Sequence, residues 1–206
     1  MTRIARLAAA ALVAAALLAG CGGPGTALGP PSPKDILAKP EHALSDAHFT
    51  VMGKFSDQGG SIDVVGDGTV IYKAPGSARL KIESTVAGQK VTYESMSVNG
   101  KDYTKTTPGN GKWTVTNSTS SLGPRTFSGT SDYKYIGEEA LPAGKAWHVS
   151  AKDQDGTPFD AWVRENDGYP LKYRATLQSN NLIFTFDKYN TGATVSPPPA
   201  AQVVQG

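Results

Sequence analysis

The histidines and serines of this chain could act as bases, nucleophiles or metal ligands, but their spacing does not support these roles. His42, His48 and His148 lie far apart, without the close spacing that metal ligands use. Neither a GxSxG nucleophile elbow nor a GxxxxGKS/T phosphate loop occurs. Ser120 and Ser121 lie in a polar stretch and are predicted to be solvated. The sequence therefore predicts no enzyme, no metal site and no cofactor.

Paired carboxylates are the next candidates for a catalytic or calcium-binding role, and each pair also has a structural interpretation. Glu138 and Glu139 fall at the end of a predicted strand, and Asp153 and Asp155 at the tip of a turn. General acid–base catalysis or calcium binding remains the alternative for both pairs. The Gly-Asp-Gly triplet at 66–68 lies inside a strand pattern, where a bulge or bend is favoured over a phosphate or calcium loop.

The single cysteine, Cys21, stands where a specific modification is expected. Arg3 and Arg6 precede an unbroken run of Ala, Leu and Val at 7–19, which is the length of a signal-peptide core and too short for a bilayer span. Residues 18–21 read LAGC, which matches the lipobox of bacterial lipoproteins. The small residues fit the peptidase, and the thiol of Cys21 takes up a diacylglyceryl group before cleavage. A secretory signal with an incidental cysteine is the alternative.

These features predict four parts of the chain. Residues 1–20 are a lipoprotein signal peptide, 21–33 a Gly/Pro-rich linker, 34–192 a β domain, and 193–206 a C-terminal tail that is extended or disordered. Diacylglycerol and palmitate chains on Cys21 anchor the protein to the extracytoplasmic face of the cell membrane. No other stretch is long and apolar enough to cross a bilayer.

The charge of the chain limits its partners. It has 20 Lys and Arg against 18 Asp and Glu, and the two basic residues of the signal peptide account for the difference. Nucleic acid or a strongly anionic lipid surface would require a basic stripe, which the sequence lacks. No nucleic-acid partner is expected; protein partners are not predicted, and the protein is expected to be a monomer.

The β domain begins with a helix signal and continues as alternating strands. Ser32 is a predicted N-cap followed by Pro33, and Pro40 is expected to break or kink this helix. From residue 47 onward, ten or so segments alternate apolar and polar residues between short turns, which predicts an antiparallel meander. Asn99-Gly100 is the strongest hairpin signal. His148 is expected on the face opposite Trp147, either exposed at the surface or with its ring nitrogens satisfied by hydrogen bonds.

One face of the predicted sheet is apolar and lacks a cover of matching size. The helix is short and broken, and residues 117–132 are predicted to be a long polar loop, so the sheet either closes into a barrel or leaves an apolar cavity for a ligand. An ordinary core remains the alternative for each single residue. The candidate cavity residues are Phe49, Val51, Phe55, Leu80, Ile82, Trp147, Val149, Leu171, Tyr173, Phe184 and Phe186.

The order of several phrases resembles a known family. After the lipobox and linker come AHFTVMGKF, GDGTVIYKAPGSARLKI, YKYIGEEALPAGKAWHV, DAWVRENDGYPLKYRATL and LIFTFDKYN. In this order they resemble the mycobacterial lipoproteins grouped with LppX and LprG, relatives of the periplasmic carrier LolA. The family usually has helical segments where this chain has the polar loop at 117–132.

The resemblance implies a mainly β fold with minor α: a single curved antiparallel half-barrel sheet with short helices on its concave side. It also implies a lipoprotein that binds or carries a lipid or lipoglycan in an apolar cavity. The alternative is a cell-envelope interaction or sensor scaffold of the same fold with a filled cavity. The volume of the cavity distinguishes the two hypotheses.

Overall fold

Twelve strands and one α-helix make up the part of the chain that the computed structural model describes, residues 29–57, 60–118, 129–153, 156–177 and 180–206. Within it, Ser32–Gly206 form one compact unit. The elements are α1 (Pro33–Ala43), β1 (Asp46–Asp57), β2 (Gly60–Ile71), β3 (Ser77–Val86), β4 (Gln89–Val98), β5 (Lys101–Thr107), β6 (Trp113–Asn117), β7 (Ser131–Leu141), β8 (Gly144–Lys152), β9 (Pro158–Arg164), β10 (Pro170–Leu177), β11 (Asn180–Tyr189) and β12 (Val203–Gln205).

All of these strands belong to one curved, open sheet with the order β12-β6-β5-β4-β3-β2-β1-β11-β10-β9-β8-β7. Two antiparallel meanders, β1 to β6 and β7 to β11, join through the pairing of β1 with β11. The short β12 pairs parallel with β6. The predicted fold class, a mainly β half-barrel with a single curved antiparallel sheet and minor α structure, is confirmed.

Local sequence signals explain the hairpins and the start of the helix. Asn99 and Gly100 have φ angles of 53° and 71°, the left-handed conformation that a type I′ turn between β4 and β5 requires. The Ser32 hydroxyl oxygen accepts a hydrogen bond from the Asp35 N–H at 3.2 Å, so the predicted N-cap is confirmed. Pro40 does not break the helix, which continues to Ala43.

The concave face, defined as the face on which α1 packs, contains the main apolar core. Val51 and Phe49 of β1 lie opposite Gly66 and Gly68 of β2. A Cβ atom at Gly68 would lie 2.4 Å from Cζ of Phe49, so the glycine provides the space for this ring. The β2 register is regular at both glycines, so the predicted bulge is wrong; close contact with Phe49 explains the glycine at 68.

A second apolar cluster lies on the opposite, convex face. We call Met96, Val98, Tyr103, Trp113 and Val115 the convex cluster; they lie on β4, β5 and β6 and are buried. The C-terminal residues 190–206, the C-terminal strap, cover it.

The strap packs its side chains Val195 and Val203 against the convex cluster. Its residues 203–205 form β12 and are extended, as one of the two predicted alternatives has it, but they pair with β6, so the prediction that the sheet ends before the tail is wrong. The loop predicted at 117–132 falls mostly on residues 119–128, which lie outside the described part of the chain; Asn117 ends β6 and Ser131 begins β7.

Candidate functional site

Five of the predicted cavity residues form a packed core on the concave face. They are Phe49, Val51, Val149, Phe184 and Phe186, and each is at most 5% exposed. The Phe49 ring lies 5.6 Å from Phe184 and 5.7 Å from Phe186, centroid to centroid, distances typical of aromatic pairs in contact. Phe49, Phe184 and Phe186 therefore fill the centre of the half-barrel with their own rings.

Four other predicted residues lie on the same face and are half-buried: Leu80, Ile82, Trp147 and Tyr173. Trp147 lies beneath α1, with Nζ of Lys39 5.2 Å from its ring centroid. Leu80 and Ile82 belong to β3, whereas α1 packs on β7, β8 and β9. Among the described residues, the apolar surface at Leu80 and Ile82 is therefore half-exposed and lies outside the contact with α1; we call it the trough.

Two predicted residues do not contribute to this face as expected. Leu171 packs against Ala146 and Trp162 in a separate cluster. The register of β10 shifts between Pro170 and Lys172, which interrupts the alternation of its side chains. The prediction that Leu171 lies on the concave face, which assumed strict alternation, is therefore wrong. The side chain of Phe55 lies outside the described part of the structure.

A cavity of about 400 Å³ lies between α1 and the start of β7. Its lining includes Leu37, Ala38 and Glu41 of α1 together with Thr130 and Tyr133. Sequence reasoning did not identify these residues as lining a cavity. The helical spacing of 34, 37, 38 and 41 was the available signal, since these positions share one face of a helix.

The concave face is closely packed near Tyr72, the residue that follows β2. Tyr72, Val163, Tyr173 and Phe186 surround a space of about 10 Å³, roughly enough for one water molecule. Burial raises the pKa of Tyr72 and of Tyr173 further above the ordinary value, at which a phenol is already neutral at physiological pH. These two tyrosines contribute neutral, mainly apolar surface to the face.

His148 lies on the convex face, opposite Trp147 as predicted, and is 8% exposed. Its ring stacks on Trp162 with a centroid distance of 4.2 Å. Nε2 lies 3.0 Å from Oδ1 of Asp160, and Nδ1 lies 2.7 Å from Oε1 of Glu139 in an ion-pair contact without hydrogen-bond geometry. His148 is therefore buried, with a hydrogen-bond partner at Nε2 and only an ion-pair contact at Nδ1, so the predicted satisfied histidine is found at one of the two ring nitrogens.

The described residues contain neither a metal site nor a membrane-spanning helix. No group of three or more His, Cys, Asp or Glu side chains in this part of the chain is arranged to hold a metal ion. Its helix is also too short and too polar to cross a bilayer.

The chain is similar in fold to several solved structures. An uncharacterized conserved protein from Thermus thermophilus aligns with a TM-score of 0.54 and 17% identity, over 84% of this chain and 98% of that protein. The Mycobacterium tuberculosis lipoprotein LppX aligns with a TM-score of 0.48 and 16% identity, over 80% of this chain and 96% of LppX. LprF from Mycobacterium bovis aligns with a TM-score of 0.45 and 14% identity, over 81% of this chain and 96% of LprF.

No protein-family model and no curated protein matches the chain. The structural matches include LppX, one of the two proteins that name the group which the sequence resembles. Sequence identities this low indicate a similar fold alone. They do not show that two proteins bind the same ligand.

Proposed function

We propose that this chain is a membrane-anchored, extracytoplasmic lipoprotein that binds or carries a hydrophobic ligand, a lipid or lipoglycan, against its concave face. The main support is that the described residues cover that face only in part. The helix α1 packs on β7 to β9, and the apolar side chains of Leu80 and Ile82 remain half-exposed beside the buried core. A fatty acyl chain on this surface gains about 0.8 kcal/mol for each methylene that it removes from water.

The cavity beneath α1 is the second support. Its volume of about 400 Å³ lies within the range of roughly 300–1,000 Å³ that ligand pockets occupy. Leu37, Ala38 and Tyr133 give it apolar walls, whereas Lys34 and Glu41 add charged groups. This mixture suits an amphiphile better than a purely apolar ligand.

The proposed location depends on Cys21, which precedes the described residues. The lipobox and the linker after it support an anchor that holds the β domain near the membrane surface without spanning the bilayer. The predicted partners are accordingly a lipid or acylated ligand and the membrane itself.

A second candidate function is a cell-envelope interaction or sensor scaffold. The observation that favours it is the packed centre of the half-barrel, where Phe49, Phe184 and Phe186 are buried against one another and the space beside Tyr72 holds about one water. In this case the concave face is a core and binds nothing.

Native mass spectrometry of the chain from residue 22 onward, which contains the whole compact unit, distinguishes the two functions. A carrier should show a discrete added mass that solvent extraction identifies as lipid, and it should bind a fluorescent fatty acid. Bare protein from several preparations, without binding of the probe, would favour the scaffold.

A matched pair of substitutions on α1 tests the cavity. Ala38→Phe places a ring in the cavity and should weaken probe binding several-fold without removing a core contact. His42→Phe adds a ring at an exposed position of the same helix and should leave binding unchanged.

A second pair tests the trough. Ile82→Asp puts a charge on the half-exposed apolar surface and should weaken binding. Val65→Asp is the control: it puts the same charge at a 57% exposed position on the convex face and should leave binding unchanged. Equal effects of Ile82→Asp and Val65→Asp would exclude the trough as the binding surface.

A further inference from the structure

The convex face has an exposed apolar row at its centre. Ile183 of β11, Met52 of β1 and Val65 of β2 are direct cross-strand neighbours. Met52 is 55% exposed and Val65 is 57% exposed, whereas Ile183 is half-buried. At its two ends the row continues with Arg174 of β10, opposite Ile183, and with Glu83 of β3, opposite Val65. We call these five residues the central row.

Strand formation does not explain the apolar side chains of the central row. The neighbouring row on the same face of the same three strands contains Thr185, Thr50 and Asp67, which are exposed. Polar residues are therefore sufficient for these strands on this face. The strap buries the convex cluster of β4 to β6, whereas Met52 and Val65 stay more than half exposed. Adjacent exposed apolar residues within a polar rim are typical of a protein interface.

The order of residue types makes the central row complementary to a second copy of itself. Its centre is Met52, the residues on either side of Met52 are both aliphatic, and its two ends carry opposite charges. Two identical faces pack against each other about a two-fold axis that lies between them. An axis parallel to β1 through Met52 reverses the row, so Arg174 of each copy faces Glu83 of the other. An axis along the row would instead place Arg174 against Arg174, which is repulsive.

Both charged ends can bind a group of the second copy while they keep their own ion pairs. Nη2 of Arg174 lies 2.6 Å from Oδ2 of Asp160, and the Arg174 side chain remains partly exposed. Glu83 pairs with Lys81 and Lys90, each at 2.7 Å, and also remains partly exposed. A guanidinium group has five N–H donors and a carboxylate has about four acceptor positions, so each end has capacity beyond these contacts.

The size of the central row predicts a weak association. The row crosses five neighbouring strands, which are about 4.8 Å apart, so it is about 19 Å long. Its apolar part consists of three side chains, fewer than a standard interface of about 800 Å² per partner contains. We therefore expect the dimer to be sparsely populated in dilute solution. Anchoring of the copies to one membrane raises their effective concentration and favours the dimer.

We propose that the central row is the contact surface of a symmetric dimer, in which two copies of this chain place their convex faces together. Met52 lies on the two-fold axis, Ile183 of each copy packs on Val65 of the other, and two ion pairs between Arg174 and Glu83 flank them. The concave faces point away from each other, so the cavity and the trough stay open. The dimer takes the place of the monomer that the sequence predicts, and it does not depend on which ligand the concave face binds.

Cross-linking through position 52 tests the symmetry axis. The chain from residue 22 onward contains no cysteine, because Cys21 is the only one in the sequence. Met52→Cys therefore gives each copy a single thiol, and a short bismaleimide reagent can join two such thiols, since facing sheets lie about 10 Å apart. Val86→Cys is the matched control, because Val86 is also exposed but lies outside the central row. The cross-linked fraction of Met52→Cys should be several-fold above that of Val86→Cys.

Charge reversal at the ends of the row tests the pairing across the axis. Sedimentation velocity over a range of concentrations measures the dissociation constant of each variant. Arg174→Glu and Glu83→Arg should each weaken the dimer about tenfold or more, since each brings like charges together across the interface. The double variant restores opposite charges and should recover most of the affinity, which a loss of local structure would not do. Lys152→Glu reverses an exposed charge on β8 and should leave the affinity unchanged.

Met52→Asp tests the apolar centre of the row. It places two carboxylates against each other on the axis, so it should abolish both the dimer in sedimentation and the cross-linking of a thiol on the row. The thermal midpoint of the variant should change little, because Met52 is more than half exposed and its removal takes no buried contact from the core. Together these two results separate association from folding.

Three results would contradict the inference. The first is a monomer that cross-links through Met52→Cys no more than through Val86→Cys, both in solution and when an N-terminal His tag tethers it to vesicles with a nickel-chelating lipid. The second is a dimer that Met52→Asp leaves intact, which would use another surface. The third is binding of the untagged chain to phosphatidylcholine vesicles that Met52→Asp abolishes, which would make the membrane the partner of the row. None of the three changes the proposed carrier function, which the lipid-binding assays test.

Discussion

Asp46 at the start of β1 holds the base of the C-terminal strap, and its replacement by Asn should be strongly destabilising. The carboxylate is 1% exposed. Oδ1 accepts hydrogen bonds from the Thr191 N–H at 2.9 Å and the Thr191 hydroxyl at 2.7 Å. Oδ2 accepts from the Gly192 N–H at 3.0 Å and the Ser45 hydroxyl at 2.8 Å.

The size of the effect follows from these four hydrogen bonds. In Asp46→Asn an NH₂ group replaces one oxygen, so at least one buried N–H or O–H donor faces another donor. A hydrogen bond to a charged group contributes about 1.5–3 kcal/mol, and a buried donor left unpaired costs about 1–3 kcal/mol. Because such terms overlap, we expect a loss of about 2–4 kcal/mol in the free energy of unfolding at pH 7, which lowers the melting temperature by roughly 5–15 °C.

The same contacts make the effect depend on pH. Burial alone would raise the pKa of Asp46, but the hydrogen bonds from Thr191, Ser45 and Gly192 outweigh it and hold the pKa below the ordinary value of 3.8. For a carboxyl group whose pKa is lower in the folded state, the stabilisation is complete above the unfolded-state pKa. It is lost as the pH falls through the folded-state pKa. The difference between wild type and Asp46→Asn should therefore shrink below about pH 4.

Urea denaturation at pH 7 and at two values below pH 4, followed by circular dichroism, measures both effects. Asp63→Asn is the control, because the Asp63 side chain is 75% exposed and pairs with Lys54 at the surface; it should change the unfolding free energy by less than about 0.5 kcal/mol. A stability of Asp46→Asn equal to the wild type at pH 7 would refute the reasoning, as would a loss that is the same at every pH.

Gly68→Ala should destabilise the protein by about 1–3 kcal/mol in urea denaturation, because the new Cβ would overlap both the Phe49 ring and the backbone oxygen of Arg79; unchanged stability would show that the ring and the neighbouring strand β3 both move at little cost. Val203→Asp should detach β12 and shift the fluorescence of Trp113, which is 4% exposed, to longer wavelength; an unshifted spectrum would mean that the strap does not cover the convex cluster. Cys21→Ala should release the protein from the membrane fraction, and continued retention would count against acylation.

Local sequence patterns were sufficient for most of the secondary structure. The Ser32 cap and the turn at Asn99-Gly100 depend on residues close together in the chain, so their chemistry is readable without the fold. The alternation of Phe184 and Phe186 with polar residues likewise placed both on the buried face, because side chains of a strand alternate strictly where pairing is regular.

The same patterns were insufficient where the register shifts or a distant segment packs. Leu171 changes clusters because a register irregularity in β10 interrupts the alternation, which the residue types do not reveal. Ala38 lines a cavity only because α1 packs beside the start of β7. Val203 joins the sheet only because the chain, after β11 in the middle of the sheet, returns to pair with β6.

The sequence by itself predicted a strand meander preceded by residues that match a lipobox, since both patterns depend on neighbouring residues. Tertiary structure alone decided whether the apolar side of a strand faces the concave or the convex surface of the sheet. Trp113 and Val115 alternate as regularly as Phe184 and Phe186, yet they face the convex side under the C-terminal strap. Alternation separates the apolar face of a strand from its polar face, and only the packing partner, distant in sequence, decides on which surface of the sheet the apolar face is buried.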